Sequence, residues 1–370
     1  TRFRAFVNER IGASFAGYDD LYAWSLEDRP AFWDALWDFG EVIASHKGDR
    51  IAENLDAMPG TKWFPDARLN FAENLLRYRD DRAALVFQGE GQEPREMTYA
   101  ELYADVARLA AALRAEGVGV GDRVAGFMPN MPESIIAMLA ATSIGAVWSS
   151  CSPDFGIKGV LDRFGQIEPK VLFCANGYFY NGKAFDSTER VAGILEQLPS
   201  IHKVVVVPYT EAEPAIDHVP GAVHYGAFKG DGPAPELTFE QLPFDHPLYI
   251  MYSSGTTGVP KCIVHGAGGT LLQHLKELSL HTDVGRDDVV FYFTTCGWMM
   301  WNWLVSNLAL GATVLLFDGS PFHPDPGCLW RMAAEPGMTV FGTSARYIAA
   351  LATSGSKPAG SVELKARTPL

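Results

Sequence analysis

The chain has 370 residues, with 44 acidic against 30 basic side chains and a formal net charge of −14. Hydrophobic residues make up 48% and charged residues 20%, enough apolar matter for a large core and too little charge for disorder. The acidic balance disfavours nucleic acid and anionic membranes as partners, although a local loop can still bind phosphate inside an acidic protein.

Two or three packed α/β units are expected from the length. The first residue is Thr1, so an authentic N-terminus upstream is expected. Cys151, Cys174, Cys262, Cys296 and Cys328 are widely spaced and include no CxxC pair. That disfavours a disulfide framework or a zinc site and fits a reducing cytoplasm. No signal peptide and no apolar run of membrane-spanning length is read. Nothing in the sequence sets the oligomeric state.

Residues 1–97 form an N-terminal helical and extended region rich in aromatics, with Phe32, Trp33, Leu36 and Trp37 at helical spacing. A first α/β subdomain is expected over 98–246. Thr98 and Glu101 make a capping-box pattern, and Gly117 closes the helix that follows. A short buried strand is predicted within 121–130. Pro132 then opens an apolar helix, and a strand follows at 146–150. A helix near 160–167, a strand at 170–174, a helix near 187–197 and a strand at 203–207 continue the rhythm of a parallel sheet. Residues 211–247 read as a connecting surface segment. A second, incomplete α/β subdomain is expected over 247–356, beginning with a strand that runs into a Gly-rich loop. The tail 357–370 is unplaced.

That loop carries the most specific signal: Ser253, Ser254, Gly255, Thr256, Thr257, Gly258, Val259, Pro260 and Lys261. Glycines allow tight turns and close backbone approach to an anion, hydroxyls add donors, and Lys261 adds a compact positive charge. Val259 and Pro260 separate Gly258 from Lys261, and Cys262 stands where the common P-loop has Ser or Thr, so a P-loop NTPase is disfavoured. No Ser-His-Asp triad and no metal-ligand cluster is read. His265 and Arg346 read as structural.

The loop resembles the phosphate-binding signature of the adenylate-forming acyl-CoA synthetase superfamily, and the resemblance runs in order over about residues 30–355. Residues 163–183, 245–269, 294–303 and 318–326 are similar to the branch that ligates acetoacetate to coenzyme A. The implied fold is α/β, with two doubly wound parallel-sheet subdomains packed face to face. The implied reaction joins a carboxylate to ATP as an acyl-adenylate with loss of pyrophosphate, then passes the acyl group to coenzyme A with loss of AMP. Mg²⁺ assists the first step. The resemblance puts Ser253 to Lys261 on the ATP phosphates and Lys261 in catalysis. Trp298, Met299 and Met300 fall on the segment that shapes the acyl pocket. Acetate-activating members read closer to GWxTGHS there, so a different acid is expected. Trp303 reads as core. Trp148, Ser149 and Ser150 match a loop near the thiol of coenzyme A. Lys183 matches a residue that binds its phosphates, while Tyr180 stands where a second basic residue would be Arg.

Other superfamily parts lie downstream: a Tyr-Gly-x-Thr-Glu segment, a ribose-binding Asp and a Lys on a small C-terminal domain. None falls within the 370 residues, so an N-terminal part of the enzyme is expected. Another short-chain acyl-CoA synthetase and a non-catalytic nucleotide-binding fragment stay open as alternatives.

Overall fold

The structure, a computed structural model, describes residues 2–253, 258–334, 336–355 and 357. The chain opens with helices Arg2–Ile11, Tyr18–Glu27 and Arg29–Phe39. Asp28 caps the third by accepting from Ala31 N–H at 3.1 Å. Aromatic side chains hold this region to the body: Phe3 packs on Phe39 at 5.1 Å, and Trp37 on Phe64 at 4.7 Å, between ring centroids.

Two sheets form the frame. The seven-stranded sheet has, in spatial order, Ala222–His224, Lys203–Val207, Val171–Ala175, Arg123–Phe127, Val147–Cys151, Pro247–Tyr252 and Cys262–Gly266. All neighbouring strands in it are parallel except the final pair, which is antiparallel. The five-stranded sheet runs Val340–Gly342, Val289–Tyr292, Thr313–Asp318, Ala83–Gly89 and Arg95–Thr98, and again only the last pair is antiparallel.

Both sheets turn one face to a shared core. Val171 and Phe173 join Val314 and Leu316 in it, while the alternate residues Leu172 and Cys174, and Leu315 and Phe317, enter separate outer cores. This explains why the strands read as continuous apolar runs: both faces are covered. Helices lie between the sheets. Tyr99–Ala115 begins with the predicted capping box, Glu101 N–H to Thr98 Oγ1 at 3.1 Å and Thr98 N–H to Glu101 Oε2 at 2.8 Å. The Tyr99 hydroxyl donates to the Ala312 carbonyl at 2.7 Å, tying that helix to the five-stranded sheet. Helix Pro132–Ser143 is buried almost all round, as expected for a helix with apolar neighbours on both sides.

The expected subdomain boundaries are corrected by the pairing. Pro247–Tyr252 does not start a second sheet; Tyr249 pairs with Trp148 in the first. Ala83–Gly89 and Arg95–Thr98, placed in the N-terminal region, instead complete the five-stranded sheet. Segment 211–247 is more than a surface connection, because Ala222–His224 forms a sheet edge there. Periodicity names a strand but not its neighbour, and here neighbours come from distant segments. No described helix is long and apolar enough to cross a membrane, and all five cysteines are free.

Candidate active site

The carboxyl ends of both parallel sheets open on one crevice, the position where ligands bind in open α/β sheets. A cavity of about 440 Å³ lies there. Its lining includes Asn130, Ser152, Asp154, Thr294, Tyr180 and Asp318, each just past a strand end or on a hairpin that follows one.

Buried hydrogen bonds lock these strand ends together. The Ser150 hydroxyl donates to the Cys296 carbonyl at 2.7 Å, and Cys296 Sγ donates to the Pro129 carbonyl at 3.2 Å. Trp301 Nε1 donates to Asn130 Oδ1 at 2.9 Å. The Ser149 hydroxyl donates to the Ile250 carbonyl at 2.8 Å and lies 3.0 Å from the Tyr252 hydroxyl. A much smaller void touches Trp148, Ser149, Ser150, Cys296, Gly297 and Asn302. The segments matched to the thiol path and to the acyl pocket therefore meet, although they are 146 positions apart at the Ser150–Cys296 bond.

Ser254, Gly255, Thr256 and Thr257 lie outside the described residues. The base of their loop is described. Ser253 N–H donates to the Lys261 carbonyl at 3.0 Å, and Lys261 N–H donates to Ser253 Oγ at 3.3 Å. Strands Pro247–Tyr252 and Cys262–Gly266 pair in register up to Tyr252 and Cys262, so the loop is a hairpin connection pinched at its neck. Gln166 Nε2 donates to the Pro260 carbonyl at 2.8 Å and steadies one arm. Gly258 has φ +89°, a conformation suited to glycine. The Lys261 side chain is exposed.

The other expected site residues lie at different depths. Trp298 is 58% exposed and immediately precedes helix Met299–Val305. Met299 and Met300 are partly buried, and none of these three lines the 440 Å³ cavity. Once the helix starts at Met299, Trp301 and Asn302 turn inward instead. Trp148 is core, 1% exposed, with its ring 2.7 Å from where a Cβ on Gly126 would stand. Ser149 and Ser150 are buried, with their hydroxyls on backbone carbonyls. Trp303 packs against the main core, as expected. Lys183 is exposed on strand Lys183–Asp186 and pairs across the hairpin with Tyr180. His265 is half-buried with its ring 5.1 Å from that of Tyr249, and burial lowers its pKa.

Sequence reasoning missed Asn130, Asp318 and the hairpin of Gly177–Tyr180 with Lys183–Asp186. An Asn-Gly pair between alternating residues was the available signal for the hairpin. Asp318 carried none, because an acid after an apolar strand reads as the start of a loop.

Asp318 ends strand Thr313–Asp318 at the cavity wall. Burial lifts its carboxyl to about 7; the hydrogen bond from Tyr209 opposes the rise, and the neighbouring Glu90 and Asp154 carboxylates add to it. The Tyr209 hydroxyl donates to Asp318 Oδ2 at 3.0 Å. An unfolded Asp loses its proton near 3.8, so between that pH and about 7 the folded chain holds a proton the unfolded chain has released. The resulting stability is complete below pH 3.8 and is lost as pH rises through about 7. Asp318→Asn should flatten this fall. It should leave stability below about pH 3.8 nearly unchanged and raise it progressively as pH climbs to about 7, levelling off above that, read from urea midpoints. Parallel curves for the two proteins across that range would refute the assignment.

Among the described residues, no group of three or more His, Cys, Asp or Glu could hold a metal ion. No protein cage for Mg²⁺ is therefore formed by them, and no step is assigned to the ion.

The chain is similar to proteins named as CoA synthetases. It is 52% identical to the Acetoacetyl-coenzyme A synthetase of Rhizobium meliloti (strain 1021) over 363 residues, covering 98% of this chain and 55% of that one. It is 47% identical to the Acetoacetyl-CoA synthetase of Danio rerio over 375 residues, covering 98% and 55%. The solved Acetoacetyl-CoA Synthetase from Streptomyces lividans superposes with a TM-score of 0.93 at 45% identity, covering 98% of this chain and 56% of that chain. The chain thus spans about half the length of the relatives it matches. The profile of the Acetyl-coenzyme A synthetase N-terminus matches residues 18–75. The profile of the AMP-binding enzyme matches residues 71–367, which takes in both sheets, the pinched loop and the cavity between the strand ends, and so the chain belongs to the AMP-binding enzyme family.

Proposed function

We propose that the complete protein is an acid–thiol ligase that forms acetoacetyl-CoA from acetoacetate, ATP and coenzyme A. The observation that carries this reading is the meeting, around one small void, of strand Pro247–Tyr252, which leads into the Ser253–Lys261 loop neck, the Ser149–Ser150 strand end and the Cys296–Gly297 segment. In the first step an oxygen of the acid attacks the α-phosphorus of ATP, and pyrophosphate leaves. In the second the thiol of coenzyme A attacks the acyl carbon, and AMP leaves. Two anions must approach one another in the first step. Loop N–H groups, hydroxyls and the Lys261 ammonium screen that repulsion where charge develops. Mg²⁺ bound with the nucleotide would add positive charge to the phosphates, and Ser254 to Thr257 are the candidate residues for binding those phosphates beside Lys261.

The 440 Å³ cavity is the candidate channel for the pantetheine arm, walled by Tyr178, Phe179, Tyr180 and Phe185 of the hairpin. Lys183 holds a phosphate of coenzyme A at that hairpin. Trp148, Ser149 and Ser150 stand behind the thiol, and Trp298, Met299 and Met300 shape the acid's pocket. A cytoplasmic location belongs to the same reading. The relatives' names support the choice of acid, as does the departure of Gly297 to Asn302 from the acetate pattern.

The test is acid-dependent exchange of pyrophosphate into ATP by the complete gene product with acetate, propionate, acetoacetate and 3-hydroxybutyrate. Acetoacetate should lead acetate by at least about tenfold in kcat/KM, the range a few groups in a pocket can supply. A lead for acetate would overturn the choice of acid.

A further inference from the structure

The hairpin that walls the cavity turns at Asn181 and Gly182, whose φ angles are 54° and 76°. Tyr180 and Lys183 pair on either side of them, so this is a two-residue turn with both central residues left-handed. The backbone N–H groups of such a turn point away from the ladder and form a small anion nest. A carboxylate fills it. Glu90 follows strand Ala83–Gly89 of the five-stranded sheet. It accepts from Asn181 N–H at 3.0 Å through Oε2 and from Gly182 N–H at 2.5 Å through Oε1. Oε2 also accepts from Ser320 N–H at 2.7 Å.

Glu90 is only 7% exposed. Its own N–H donates to the Asp318 carbonyl at 2.8 Å, which fixes its backbone at the end of the central strand. His323 closes the far side, with Nε2 4.0 Å from Oε1. A buried carboxylate is costly unless it is hydrogen-bonded, and here three N–H donors satisfy it. The turn belongs to the connection after Val171–Ala175 of one sheet, whereas the acid belongs to the other sheet. This contact therefore sets the hairpin against the opposite wall of the crevice.

We infer that Glu90 is a positioning residue for thiol-substrate binding: it clamps the Asn181–Gly182 turn, so that Tyr178 to Tyr180 stay on the cavity wall and Lys183 stays beside it. The inference rests on the reading that coenzyme A enters this cavity. It separates two functions of the crevice, since the clamp acts on the hairpin and on the Ser320 backbone, whereas the ATP loop lies on strands Pro247–Tyr252 and Cys262–Gly266.

The experiment compares Glu90→Ala and the isosteric Glu90→Gln with the parent in the complete gene product. Three measurements are made: acetoacetate-dependent pyrophosphate exchange, KM for coenzyme A in the full reaction, and peptide-resolved hydrogen exchange over residues 177–186. Glu90→Ala should raise KM for coenzyme A about tenfold, the scale of a lost charge-assisted hydrogen-bond pair. Pyrophosphate exchange should stay within about twofold, and the turn amides should exchange about ten times faster. Glu90→Gln, which keeps one acceptor oxygen and the side-chain volume, should fall between and guards against misfolding of the alanine variant. Combined with Lys183→Ala, the loss in CoA affinity should be less than additive, because the clamp acts through the hairpin. Unchanged hydrogen exchange over 177–186 overturns the clamp. Faster exchange with an unchanged KM for coenzyme A overturns its role in binding. Failure of the parent to exchange pyrophosphate with any acid would sink the ligase reading instead, and the amide measurement still judges the clamp.

Discussion

Replacing Lys261 with alanine in the complete protein is expected to slow acyl-adenylate formation by about 10²–10³-fold, the cost of removing one preorganised donor from developing charge. Lys261 is exposed, and among the described residues no carboxylate pairs with its ammonium. Its position is nevertheless fixed, because its backbone N–H and carbonyl both engage Ser253 across the loop neck. A fixed backbone carrying an uncommitted cation suits an anion that arrives and leaves. The loss should appear in the turnover of pyrophosphate exchange as well as in KM for ATP, because the charge it screens is greatest in the transition state. Lys261→Arg should recover only part of the rate, since a planar guanidinium does not replace a compact ammonium. A Lys261→Ala enzyme within threefold of the parent would remove this side chain from the mechanism.

The largest expected effect on stability comes from Trp301→Ala, about 3–5 kcal/mol. Trp301 is fully buried in the core shared by the two sheets. Truncation leaves a large void, and it also strands Asn130, which is buried and loses the partner of its Oδ1. Asn130 is part of the cavity wall, so the crevice should lose shape along with stability. Trp301→Phe keeps most of the volume but not the N–H donor and should cost about 1–3 kcal/mol. Urea unfolding monitored by circular dichroism reads both. An alanine variant with an unshifted midpoint would show that this indole is not the keystone between Asn130 and the helix Met299–Val305.

Much of the local structure was legible. The capping box at Thr98 and Glu101, the apolar helix after Pro132 and the strand Lys203–Val207 stand where spacing and composition place them. The strand before the Gly-rich loop also stands. Which side chains of the Trp298 segment turn inward was not legible. That segment is apolar throughout, and a run of Trp and Met has no polar side to orient it. The exact register of a helix start then decides which residue faces the protein, and it turned Trp301 and Asn302 inward and Trp298 outward.

By itself the sequence determined the kind of elements, the hydroxyl-and-glycine loop ending in Lys261, and the membership that this loop announced. These are short-range properties, written in period, turn chemistry and spacing. The tertiary structure alone decided that the strands within 83–98 would join the five-stranded sheet and those within 247–266 the seven-stranded one, and that Ser150 would meet Cys296. It also decided that Glu90 would reach a turn in another layer. Strand pairing and buried hydrogen bonds depend on which faces must be covered at once. That condition belongs to the whole core and leaves no mark at any single position in the chain.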